Sequence, residues 1–115
     1  MAVTIYHNPR CSKSRQALQL LRDRGIEPEI VEYLKTPPSA DEMDAVLAKL
    51  GIEPRALMRT KETAYRDAGM ADEGLSRRVL IDLMVANPIV IERPIVVNGA
   101  RAALGRPPES VLSIL

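Results

Sequence analysis

The sequence predicts an α/β fold built on a mixed four-stranded sheet, and three patterns point to it. A strand, a helix and a second strand fit within roughly the first forty residues, the size of a βαβ crossover. Near the C-terminus an Asn-Gly dipeptide separates two β-prone runs, the signal of an antiparallel hairpin. Between them lies a stretch of capped, amphipathic segments that reads as inserted helices.

Val3–Tyr6 is short, apolar and β-branched, and Asn8-Pro9 ends it, so it reads as a strand. Ser12 and Ser14 are candidate caps for a helix through about Arg24, with Ala17, Leu18 and Leu21 on one face. Gly25 stops it where a left-handed residue is needed. Residues 29–33 form the second strand, parallel to the first by the right-handed crossover rule.

Pro37-Pro38 breaks the chain, and Ser39-x-x-Glu42 is a capping box ahead of Met43, Val46, Leu47 and Leu50 at helical spacing. Gly51 ends that helix. Pro54 opens a short helix running through residues 55–59, and residues 61–68 read as a further helical turn. Ser76 caps a helix carrying Val79, Leu80, Leu83 and Met84, closed by Asn87-Pro88. Residues 89–91 and 94–97 are β-rich, and Asn98-Gly99 turns the chain into residues 101–104. Pro107-Pro108 opens a last helix carrying Val111, Leu112 and Leu115.

A chain of 115 residues, 46% hydrophobic and 27% charged, has the length and balance of one globular domain, taken here as residues 1–115. Its net charge of +1 supplies no bulk field toward nucleic acid or membrane, and with no Trp or Phe it has few stacking platforms for bases. The N-terminus lacks a basic, apolar leader, and no apolar run is long enough to span a bilayer, so a cytoplasmic location is expected; the size and charge suit a monomer. One cysteine rules out an internal disulfide and a Cys-rich zinc domain; no cluster of His, Cys and carboxylates has metal-ligand spacing.

That cysteine, Cys11, falls between a strand and a helix start, flanked by Arg10, Lys13 and Arg15. Helix-start amides and cationic neighbours lower a thiol pKa and bind anions at the same place. Cys11 therefore reads as a nucleophile rather than a buried small hydrophobe. Cys11-x-x-Ser14 echoes a redox Cys-x-x-Cys motif without its second thiol, so an adduct on Cys11 must be released by a thiol from outside the chain. Ser14 is either a hydrogen-bond donor to the thiolate or a helix cap. His7, the sole histidine, either helps depress the thiol pKa or is structural. Arg59, Arg93 and Arg106 stand at element ends, positions that suit an oxyanion clamp, and Arg93-Pro94 is a candidate cis peptide.

Taken together, Thr4-Ile5-Tyr6-His7-Asn8-Pro9-x-Cys11-x-x-Ser14-Arg15, Arg55-Ala56-Leu57-x-Arg59-Thr60 and Arg93-Pro94-Ile95-Val96-Val97 closely resemble the glutaredoxin-dependent arsenate reductase family. The likeness runs in order along essentially the whole chain, through Tyr33-Leu34, Pro37-Pro38, Ile89 and Gly105-Arg106-Pro107. It implies a thioredoxin-like, three-layer fold with a helical insertion. It also implies that Cys11 attacks arsenate, and that Arg59, Arg93 and Arg106 hold the oxyanion and its reduced product. His7, Ser14 and Arg15 match positions that assist thiolate formation and anion binding. Glutathione would attack the adduct, glutaredoxin would restore the thiol, and no cofactor would stay bound. The chain stops at Leu115, where some members carry a longer C-terminal tail; no matched residue lies there, so activity without it is expected.

Two other readings compete. Relatives of the same fold include regulators that bind RNA polymerase and often carry a redox switch formed by a Cys pair, whereas Cys11 has no second cysteine to pair with. A glutathione-dependent thiol reductase without arsenate specificity would use the same helix-start anion site. The three arginines favour the arsenate enzyme.

Overall fold

A computed structural model of the chain describes residues 2–115; Met1, the start of the segment read above for a leader, lies outside the described residues. The chain forms two compact units, one from the residues up to Thr36 together with Arg93–Leu115, the other from Pro37–Glu92.

The first unit holds the whole sheet. Strands β1 (Val3–Tyr6), β2 (Glu29–Val31), β3 (Ile95–Asn98) and β4 (Arg101–Leu104) lie in the order β2-β1-β3-β4. β1 pairs parallel to β2, with Ile5 opposite Ile30, and antiparallel to β3, with Ile5 opposite Val96. β3 and β4 form the antiparallel hairpin. This is the parallel pair joined to a hairpin that the sequence predicts.

Helix α1 (Ser12–Asp23) makes the crossover from β1 to β2. Its Ala17, Leu18 and Leu21 are buried with Val3, Ile5 and Val96 from one sheet face and with Val111 and Ile114 from the C-terminal segment. Gly25 ends the helix with φ +76°, a conformation that costs a residue with a Cβ.

Three details of this unit differ from expectation. β2 stops at Val31, because the chain turns there and the Glu32 carbonyl accepts from the amides of Lys35 and Thr36. The hairpin turn is Gly99-Ala100 rather than Asn98-Gly99: Asn98 stays in the ladder opposite Arg101. Gly99 alone takes positive φ, at +62°, which suits the first loop position of a two-residue turn. The last segment, Pro108–Ile114, is a 3-10 helix, so the i and i+3 residues Val111 and Ile114 are buried in the core, with Leu115 packed against it and partly buried.

The second unit is helical. α2 (Ala40–Leu50) starts at Ser39, whose Oγ accepts from the Glu42 amide, and ends at left-handed Gly51. α3 spans Thr63–Asp67 and α4 spans Arg77–Ala86, capped by Ser76 through the Val79 amide. Met43, Val46 and Leu47 of α2 and Leu80, Ile81 and Met84 of α4 are buried. Val79, one of the apolar residues at helical spacing, is exposed, and Ile81 is buried instead. The helix expected over residues 55–59 is a 3-10 turn, Pro54–Leu57, and Met58 leaves it extended to bridge Ile91. Residues 89–91 are not a strand: Pro88–Val90 is a 3-10 turn, because Pro88 sets a helical φ and Asn87 O accepts from the Val90 amide.

Candidate active site

The loop between β1 and α1 is shaped by Asn8. Its side-chain oxygen accepts from the Arg10 amide at 3.0 Å, an Asx turn, and its carbonyl accepts from the Cys11 amide at 3.0 Å. Cys11 is thereby set as the N-cap of α1, with φ −93° and ψ 123°, and its thiol is partly exposed. Neither Ser12 nor Ser14 is the cap, because both lie inside the first helical turn.

Burial pushes the Cys11 thiol up. The amide of Ser14, the charge of Arg93, the amide of Lys13 and a hydrogen bond from the Arg93 side chain outweigh it and hold the pKa below the ordinary thiol value. The helix-start amides thus act as the sequence suggests. The cation acting on the thiol is Arg93, from the start of the β3 region, rather than the chain neighbours Arg10, Lys13 and Arg15, whose exposed charges are screened by water.

Ser14 is fully buried, and it belongs to a small polar network rather than to a cap. Its Oγ accepts from the Asn8 amide at 3.1 Å and shares a 2.6 Å hydrogen bond with Nδ1 of His7. His7 follows the end of β1, 6% exposed, with its amide donating to Val31 O. Burial lowers the His7 pKa from its ordinary value of 6.5; Glu32 pulls it up, and Arg22 and Arg15 push it down. His7 is accordingly neutral at neutral pH. It braces Ser14 at the third residue of α1, whose amide faces Cys11.

Arg15 turns back along the loop and donates from Nη1 to Pro9 O at 2.9 Å. Arg106 donates from Nη1 to Arg93 O at 3.3 Å, which ties the two arginines together. Both Arg93-Pro94 and Arg106-Pro107 are cis, the first as expected and the second not read from the sequence. Gly105 lets Arg106 sit there: a Cβ at Gly105 would lie 2.6 Å from Pro94 Cγ, and its amide donates to Pro94 O. The first unit therefore brings together six of the seven candidate residues: His7, Cys11, Ser14, Arg15, Arg93 and Arg106.

Arg59 belongs to the second unit. Its amide donates to Val90 O, and its guanidinium pairs with Glu62 at 2.7 Å and Glu92 at 4.0 Å. The sequence reading overlooked both Asn8 as loop organiser and Glu62 as partner of Arg59. An Asx residue two positions before Arg10 and an acid three positions after Arg59 were the available signals. Among the described residues, no group of three His, Cys, Asp or Glu could hold a metal ion, and no helix is long and apolar enough to cross a membrane.

The sequence profile of the ArsC family matches residues 6–114, a span holding all seven candidate residues. The chain belongs to the ArsC family. It is 53% identical to protein YfgD of Escherichia coli K12, with 98% of this chain and 96% of that one covered. It is 47% identical to an arsenate reductase of Haemophilus influenzae, each chain covered in full. The solved structure of an arsenate reductase from Vibrio cholerae superposes with a TM-score of 0.96 at 49% identity, covering 100% of this chain and 98% of that one. The mixed sheet interrupted by a helical segment is thus the thioredoxin-like architecture of ArsC proteins.

Proposed function

We propose that the chain is an arsenate reductase in which Cys11 is the nucleophile and glutathione with glutaredoxin supplies the electrons. The observation that carries this reading is the Cys11 thiol at the start of α1, held toward its anionic form by helix amides and Arg93.

A thiolate there attacks arsenic and expels one arsenate oxygen as water, forming a sulfur–arsenic bond. The same amides, with Arg93 and Arg106 and with Arg15 and Arg59 as further ligands, hold the remaining oxygens and the charge that develops on them. His7 and Ser14 keep the first turn of α1, which follows Cys11, in place.

The chain has one cysteine, so the two electrons come from outside. Glutathione adds its sulfur to arsenic with loss of a second water. A glutaredoxin thiolate then takes that sulfur as a mixed disulfide, and the electron pair left behind makes arsenic(III). Water cleaves the remaining sulfur–arsenic bond, which releases arsenite and regenerates Cys11. The need for reduced glutathione fits a cytoplasmic enzyme, acting as a monomer with residues 1–115 as one catalytic domain.

The test is an NADPH-coupled assay with arsenate, glutathione, glutaredoxin and glutathione reductase, with each component omitted in turn. NADPH consumption that needs arsenate, glutathione and glutaredoxin is expected. Turnover independent of arsenate would instead favour a general glutathione-dependent thiol reductase.

A further inference from the structure

A cavity of about 290 Å³ lies beside the Cys11 loop, lined by residues 7–10 on one wall and by Glu32, Leu34 and Lys35 on the other. The mechanism above makes no use of it. Its volume falls just below the roughly 300–1,000 Å³ typical of small-molecule sites. Its chemistry is mixed. Arg10 and Lys35 bring positive charge, Glu32 negative charge, and the Leu34 side chain, 42% exposed, an apolar surface.

We infer that this cavity seats the peptide thiol that resolves the Cys11 adduct, a small zwitterion carrying carboxylates and an ammonium group, of which glutathione is the type. The inference rests on the reductase reading, which requires an external thiol, and adds to it where that thiol binds.

Three observations support the assignment. The charge pattern is complementary, with two cations for carboxylates and one carboxylate for an ammonium group. The pair that Lys35 Nζ forms with Glu32 at 3.6 Å is long and lies at the surface, so a ligand can open it at little cost. The cavity wall and the nucleophile also share one rigid loop. Asn8 lines the cavity and accepts the Cys11 amide with its carbonyl, while its side chain fixes the Arg10 amide. An extended tripeptide reaches about 10 Å, so charged ends held between Arg10, Glu32 and Lys35 leave its thiol within range of the adjoining loop.

The test uses the full chain, labelled with 15N and titrated with S-methylglutathione, whose blocked sulfur cannot react. Amide shifts centred on residues 8–10 and 32–35 are expected in the wild type and are lost in Lys35→Glu. In arsenate turnover Lys35→Glu should raise the KM for glutathione about tenfold, with the KM for arsenate unmoved. Lys35→Ala should show a smaller rise in the same direction. Shifts confined to other residues, or an unchanged glutathione KM in Lys35→Glu, would overturn the subsite while leaving the reductase reading intact. Shifts at residues 32–35 without any arsenate turnover would uphold the subsite and remove the reductase reading.

Discussion

His7 Nδ1 and Ser14 Oγ lie 2.6 Å apart, both buried, and join the end of β1 to the first turn of α1, which starts after the nucleophile Cys11. Burial keeps this imidazole neutral, so a proton added to it is paid for by the fold. The folded pKa lies below the unfolded value of about 6.5. Over that interval the unfolded chain binds more protons, and stability rises with pH. The contribution is therefore complete above about pH 6.5 and is lost as pH falls through the folded pKa. NMR titration of this single histidine should give a midpoint below 6.5. His7→Gln should flatten the fall in Tm on the acid side. A midpoint at or above 6.5 would refute the neutral brace.

Arg93 acts on Cys11 by charge and by a hydrogen bond, and its removal should be visible in thiol reactivity. Iodoacetamide alkylation of the wild type should reach half its maximal rate below the pH expected of an ordinary free thiol. Arg93→Gln should move that midpoint up toward the ordinary value. Equal midpoints in the two proteins would leave the helix amides as the sole activating groups.

Gly105 is needed for space. The Cβ of Gly105→Ala would meet Pro94 Cγ at 2.6 Å and Val111 Cγ1 at 3.3 Å, so the proline ring must shift to admit it. Overpacking of this kind costs about 1–3 kcal/mol, which lowers the Tm of a small domain by several degrees. Because Arg106 follows directly, the KM for arsenate should rise as well. An unchanged Tm would show that the loop relaxes freely.

How much of this was legible in the sequence differs between fold and site. β1, α1 and the caps at Ser39 and Ser76 carry local signals, and the structure places them where the patterns do. The misread stretches are those in which local chemistry competes with propensity. Residues 89–91 are β-branched, yet Pro88 winds them into a 3-10 turn, and only Ile91 makes a strand-like bridge, to Met58. At the site, the placement of Cys11 before a helix was readable from spacing. The role of Ser14 was not, because its partner His7 meets it only after the strand and helix have packed. The source of the charge on Cys11 was hidden for the same reason, since Arg93 is distant in sequence from Cys11.

Arg59 pairs with Glu62 at 2.7 Å, and both side chains are about a third exposed, so the pair is worth under about 1 kcal/mol. Arg59→Ala should therefore change Tm little. If Arg59 holds the oxyanion, the loss of a charge-assisted contact of about 1.5–3 kcal/mol should lower kcat/KM for arsenate roughly 10–100-fold. Unimpaired kcat/KM would restrict Arg59 to a structural pairing.

The central claim is that Cys11 alone, of all side chains in the protein, bonds to arsenic. Direct measurement of arsenite formed from arsenate by the wild type and by Cys11→Ser, with glutathione and glutaredoxin present, tests it most directly. Arsenite should accumulate with the wild type and stay at the enzyme-free level with Cys11→Ser, whose Tm remains close to that of the parent. Arsenite formed at equal rates by the two proteins would contradict the account.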